Sequence, residues 1–157
     1  VIPEKNVSVL FYSMNKTNNS LKWRLYLPFD KYIHCGLKVD DMIFSVPVNR
    51  NDSKAYWLSS NVSNRVWGKP DMEVPMGSSD VSWDFLFQYS KDFSLTLFSQ
   101  IRWVYLLRSY RPVNCTTYVQ DYLEVMGLGK YRSNTPNSFF KELMRNGRQG
   151  IKPGDIR

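Results

Sequence analysis

An α+β fold, in which a small antiparallel sheet packs against helices, is what this sequence predicts. Two patterns carry that expectation. β-rich runs separated by turn-forming residues fill the first half of the chain, and capped amphipathic helices fill the second. The 157 residues read as a single domain over 1–146 with a C-terminal extension over 147–157. Nine Phe, ten Tyr and five Trp supply enough apolar area for a core without a disulfide framework.

Val7–Tyr12 (VSVLFY) is the first β-rich run. Polar Asn15–Ser20 separates it from a second apolar stretch, Leu21–Leu27, which Pro28 ends, so the pair reads as a hairpin or as two edge strands. Tyr32–Val39 (YIHCGLKV) and Met42–Val46 (MIFSV), joined by Asp40-Asp41, form a second hairpin. With the two aspartates as its loop, Val39 faces Met42, Leu37 faces Phe44, Gly36 faces Ser45 and Cys35 faces Val46. Alternation then sorts the side chains. Ile33, Cys35, Leu37, Val39, Met42, Phe44 and Val46 share an apolar face, and His34, Gly36, Lys38, Ile43 and Ser45 share the other.

Asn49–Ser53 and Asn61–Asn64 read as polar loops around Ala55–Leu58. Gly68–Ser79, with Gly68, Pro70, Pro75 and Gly77, reads as the connector between the β-rich and helical halves. Trp83–Tyr89 carries apolar residues at mixed spacings, and Leu95–Leu107 reads as a helix on the row Leu97, Ile101, Val104 and Arg108. Asn114, Cys115–Met126 and Gly127 supply an N-cap, a helix with Val119, Tyr122, Leu123 and Met126 on one side, and a C-terminal glycine. Thr135-Pro136 repeats the pattern with Phe139, Phe140 and Leu143 as its apolar positions, and Gly147–Arg157 reads as a loose extension.

The formal charge of +7 suits an anionic partner such as a cell-wall or membrane surface. The basic residues are scattered, with no run that could track a phosphate backbone and no nucleic-acid module. His34, Cys35 and Cys115 are too few, and too irregularly spaced, for a tetrahedral zinc site, so neither metal nor other cofactor is expected. Even Phe93–Leu107 is cut by Ser94, Thr96, Ser99, Gln100 and Arg102, short of the ~18 apolar residues of a membrane span. No signal-peptide pattern is visible, and the chain reads as soluble.

The chemistry-bearing candidates are few. Cys115 falls on the first turn of a helix capped by Asn114, where unpaired amides and the helix dipole favour an anion and lower a thiol pKa. A thiolate there is an acyl nucleophile, and the amides of the first turn, around Asn114, Cys115 and Thr116, are positioned to hold an oxyanion. The one imidazole in the chain, His34, is the candidate base. Ser45, diagonal to it on the same face, is the candidate orienting group, with Asn49 as an alternative if the strand continues past Pro47. Each residue also has a plain structural reading: Cys115 as a small buried hydrophobe, and His34 as a packed or surface strand residue. Cys35 is assigned to the core.

Two motifs carry a resemblance to a known family. His34-Cys35-Gly36-Leu37-Lys38-Val39-Asp40-Asp41 is similar to the His, small, aliphatic, x, Val and turn pattern of the circularly permuted NlpC/P60 branch of papain-like proteins. Asn114-Cys115-Thr116-Thr117-Tyr118-Val119, followed by Leu123 and Gly127-Leu128, resembles that branch's Asn-Cys helix, and Thr135-Pro136 resembles the helix that often follows. The match covers roughly residues 32–46 and 112–144. What the resemblance implies is a papain-like α+β fold, a Cys115 nucleophile, a His34 base, and cleavage or transfer at an amide, ester or thioester of a cell-wall peptide or a lipid acyl group. Where some relatives carry a second His, this chain has Ser45. A non-catalytic structural or interaction protein on the same scaffold, such as a phage virion component among viral structural proteins, is the competing expectation.

Overall fold

The computed structural model describes residues 3–13, 31–46, 55–92 and 115–152. The readings made at Leu21–Leu27, Asn49, Leu95–Leu107 and Asn114 lie outside these residues. The described residues form an α+β fold whose five strands make one antiparallel sheet in the order β4-β3-β2-β1-β5.

β1 (Lys5–Ser13) is an interior strand, paired with β2 (Tyr32–Val39) on one side and β5 (Met72–Ser79) on the other. The expectation of an edge strand is thereby corrected. Its unbroken apolar run is the reason: Val7, Val9 and Phe11 are buried toward one face of the sheet and Leu10 and Tyr12 toward the other.

β2 and β3 (Met42–Ser45) form the expected hairpin in the expected register, with Val39 opposite Met42 and Leu37 opposite Phe44. Asp40 takes φ 50°, the left-handed region that a two-residue hairpin loop requires and that Asp tolerates better than most side chains. Its carboxylate and amide are both used, since Asn6 N–H donates to Asp40 Oδ1 and Asp40 N–H donates to the Asn6 carbonyl, each at 2.9 Å. The turn is therefore tied to β1 as well as to its own hairpin.

Three stretches differ from the sequence reading. Gly68–Ser79 is not a connector, because Met72–Ser79 is strand β5. Met72, Val74 and Met76 are buried in alternation with Glu73, Pro75 and Gly77, a period of two that the Gly and Pro content concealed. Pro75 is tolerated because β5 ends the sheet, and the register shift opposite Val7 and Ser8 absorbs Met76 as a bulge. Asn61–Asn64 is not a loop. After β4 (Tyr56–Ser59), it lies in helix α1 (Ser60–Trp67), which carries no apolar stripe: Val62 and Val66 are exposed, and Ser63 is the buried residue. The segment after the last helix is docked through residue 151, not loose. Glu73 and Ile151 exchange backbone hydrogen bonds at 2.8 and 2.7 Å, and Arg148 Nη1 donates to the Met76 carbonyl at 3.0 Å.

Trp83–Asp92 forms α2, where Ser82 Oγ accepts from Phe85 N–H at 3.2 Å in the manner of a cap. Cys115–Val125 is α3, ended as expected at Gly127, which takes φ 74°. Leu128 N–H reaches the Leu123 carbonyl and Gly127 N–H the Glu124 carbonyl, the paired bonds of a Schellman motif. Pro136–Arg145 is α4, and the expected Thr135 cap is part of a reciprocal capping box with Ser138. α3 and α4 pack on β2, and α2 joins them: Tyr122 Oη donates to the Leu86 carbonyl and Ser90 Oγ lies 2.9 Å from Tyr118 Oη. α1 packs on β3 and β4, and its Ser63 hydrogen-bonds Tyr12.

Candidate active site

The site forms where α3 begins against β2. Alternation along β2 places Cys35 in the main core, with no exposed surface, and His34 on the opposite face, 2% exposed. The β1 register sets a partner beside each, pairing Phe11 with Cys35 and Tyr12 with His34. The Tyr12 and His34 rings lie 5.5 Å apart between centroids, tilted by 42°. Ser45, also buried, puts its Oγ 2.8 Å from His34 Nε2, the diagonal relation the hairpin reading expects. Ser45 Oγ–H in turn donates to the Val46 carbonyl at 3.4 Å.

The β2–β3 ladder spans Leu37–Val39, so at His34 and Cys35 the described pairing of β2 is with β1 alone. Cys115, the first residue of α3, interacts with side chains from both faces of the strand, Cys35 and His34, and it is partly exposed while Cys35 is fully buried. Thr116 is buried with its hydroxyl between the sulfurs. Cys35 Sγ–H donates to Thr116 Oγ1 at 3.8 Å, and Cys115 Sγ lies 4.0 Å from the same oxygen.

This arrangement separates the two thiols electrostatically. The neighbouring Cys35 thiol holds the Cys115 thiol well below its ordinary range; burial opposes this, and the proximity and charge of the His34 imidazole reinforce it. Burial pushes the Cys35 thiol well up, and the neighbouring Cys115 pushes it further, against the Thr116 hydrogen bond. The two shifts run in opposite directions, Cys115 toward the thiolate and Cys35 toward the thiol.

Of the residues the sequence singled out, Cys115, His34, Ser45 and Thr116 are brought together, whereas Asn114 and Asn49 lie outside the described residues. Two members escaped the sequence reading. Cys35 points into the core as expected, yet it also touches Cys115, because the helix N-terminus is set over the core face of β2. Tyr12 lies against His34 through a β1–β2 pairing that hairpin rules do not give, since a long segment separates the two strands. No helix among the described residues is long and apolar enough to cross a membrane. Comparison of the chain with protein-family models, with curated proteins and with solved structures finds no match to any of them.

Proposed function

We propose that the protein is a cysteine hydrolase or acyltransferase of the papain-like, circularly permuted NlpC/P60 type, with Cys115 as nucleophile, His34 as base and Ser45 as the group that orients the base. The observation that carries the reading is a partly exposed cysteine on the first residue of a helix, beside an imidazole whose Nε2 lies 2.8 Å from a buried hydroxyl. With Ser45 Oγ–H directed at the Val46 carbonyl, its lone pair can accept from His34 Nε2–H, the tautomer that makes Nδ1 the basic nitrogen of the ring. Ser45 here does the work a carboxylate or amide does in other thiol triads.

The chemistry follows from those positions. Cys115 gives its proton to His34 and attacks a carbonyl carbon, forming the C–S bond while the carbonyl π pair moves onto oxygen. The first turn of α3, at the positive end of the helix dipole, stabilises that oxyanion. Collapse expels the amine, alcohol or thiol, which takes the proton from His34 and leaves a thioester on Cys115. Water, deprotonated by His34, then attacks the thioester and frees the acid; another nucleophile in place of water makes the reaction a transfer. The substrate class is a peptide or lipid acyl group, and the +7 charge suits delivery to an anionic wall or membrane surface.

The test is the rate of Cys115 alkylation by iodoacetamide against pH, in the Cys35→Ser background with and without His34→Ala, followed by screening of acyl esters and peptide amides. Titration below the ordinary thiol range that is lost with His34→Ala is the expected result. An ordinary thiol profile indifferent to His34→Ala overturns the reading and leaves the competing one, a non-catalytic interaction protein such as a virion component. The feature that favours this second reading is Ser45, a weaker orienter than Asp, Asn or a second His.

A further inference from the structure

The mechanism above uses one sulfur, yet the site holds two. They are the only cysteines in the chain, both are free thiols, and both lie against one hydroxyl, with Cys35 Sγ 3.8 Å and Cys115 Sγ 4.0 Å from Thr116 Oγ1. Their exposure is unequal, since Cys115 is partly open and Cys35 is sealed in the core. A reagent from solvent therefore meets Cys115 first, and whatever forms on that sulfur has Cys35 as its nearest thiol.

We propose that Cys35 and Cys115 form a dithiol modification site for peroxides, in which Cys115 is the sulfur oxidised and Cys35 the resolving thiol that closes a reversible disulfide with it. The proposal deepens the reading of Cys115 as a nucleophile and rests on it, since the same sulfur must attack the peroxide. In the first step the Cys115 thiolate attacks one oxygen of hydrogen peroxide and the O–O bond breaks. Sulfur is oxidised to sulfenic acid, and the departing hydroxide takes a proton to become water. In the second step Cys35 sulfur attacks the Cys115 sulfur. The S–S bond forms, the S–O bond breaks, and the Cys35 proton leaves with the hydroxide as a second water. Sulfur supplies both electrons and peroxide receives them, so no further reagent is needed. Without a second thiol in contact, a sulfenic acid at Cys115 would be open to further peroxide and to irreversible sulfinic acid.

Closure falls to the helix end more readily than to the strand. β2 is held by its β1 ladder at Cys35, whereas Cys115 lies at the end of α3, where closure disturbs the terminal turn of the helix alone. A disulfide there also removes the Cys115 thiolate, so the modified protein resists alkylation until it is reduced.

The full chain, treated with a several-fold molar excess of hydrogen peroxide, is read by intact mass, by non-reducing electrophoresis and by peptide mapping without reduction. The expected result is a monomer that has lost two hydrogens, with the Cys35 and Cys115 peptides linked. Cys115 alkylation is lost, and it is restored by dithiothreitol. In Cys35→Ser, with Cys35→Ala as a second variant should the first fold poorly, Cys115 goes to sulfinic acid and dithiothreitol no longer restores it. Sulfinic acid at Cys115 in the unmodified sequence with Cys35 still a thiol overturns the proposal, as does an intermolecular disulfide or a Cys115 inert to peroxide. The mapping is scored on sulfur chemistry alone, so a chain that forms the disulfide but cleaves no acyl substrate separates this proposal from the function above.

Discussion

On one face of β2, Cys35, Leu37 and Val39 pack among Val7, Val9, Phe11 and the helices α3 and α4. On the other, His34 lies against Tyr12 and hydrogen-bonds Ser45, with Leu10 and Ile43 alongside. Both sets are buried to nearly the same extent. They are held by different forces: the first face chiefly by filled volume, and the second by polar contacts, each of which fails when one partner is removed. The difference teaches where chemistry can reside. Cys115 meets both faces of β2, drawing a thiol from the dry side and an imidazole from the polar side.

The comparison breaks most severely if the apolar face is emptied. Phe139 is fully buried on α4, in ring contact with Phe11 and Tyr131. Phe139→Ala is expected to cost about 3–5 kcal/mol, read from the midpoint of urea unfolding at unchanged slope. A loss well under that would show that the face collapses onto the hole and is looser than its packing implies.

Alkali sharpens the comparison, because it probes the polar atoms carried inside the apolar face. Burial pushes the Tyr122 phenol from 10.0 up to about 12, and burial likewise raises Tyr118 on that face and Tyr12 on the other. A raised folded-state pKa contributes stability that is present below the unfolded value and lost as pH climbs through the folded one. Stability is therefore expected to fall between pH 10 and about 12, on the order of 3 kcal/mol from Tyr122 alone. Unfolding free energy measured across that window should fall less steeply in Tyr122→Phe, even though that variant starts lower for want of the bond to the Leu86 carbonyl. Equal slopes would mean that phenols elsewhere set the alkaline limit.

The smallest effect belongs to the polar face. Ser45→Ala leaves His34 Nε2 without its hydroxyl partner, so a stability loss of about 1–3 kcal/mol is expected, together with slower alkylation of Cys115 near neutral pH. Lost stability with unchanged alkylation would make Ser45 a structural residue and leave the orientation of His34 to Tyr12.

How much of this was legible in the sequence divides along the same line. The β2–β3 hairpin, its register, the diagonal of His34 and Ser45, the glycine stop of α3 and the Thr135 cap all follow from local rules, and each is as expected. β5 was hidden because Gly and Pro argued for a loop where an edge strand tolerates both, and α1 because a helix that buries a serine shows no apolar stripe. Cys35 was missed as a member of the site for a different reason. Its direction was readable from alternation, but what stands over that face depends on where a helix far along the chain begins.

The outer side of β5 bears on how copies of this chain meet one another. A foreign strand approaching it finds the amide and carbonyl of Glu73 already taken by Ile151, no amide proton at Pro75, and a kink at Met76 that throws the ladder out of step. Those three obstacles make the stretch a poor template for strand addition, so the border of the sheet that a sequence reader would dismiss as a linker is the part that guards it against self-association.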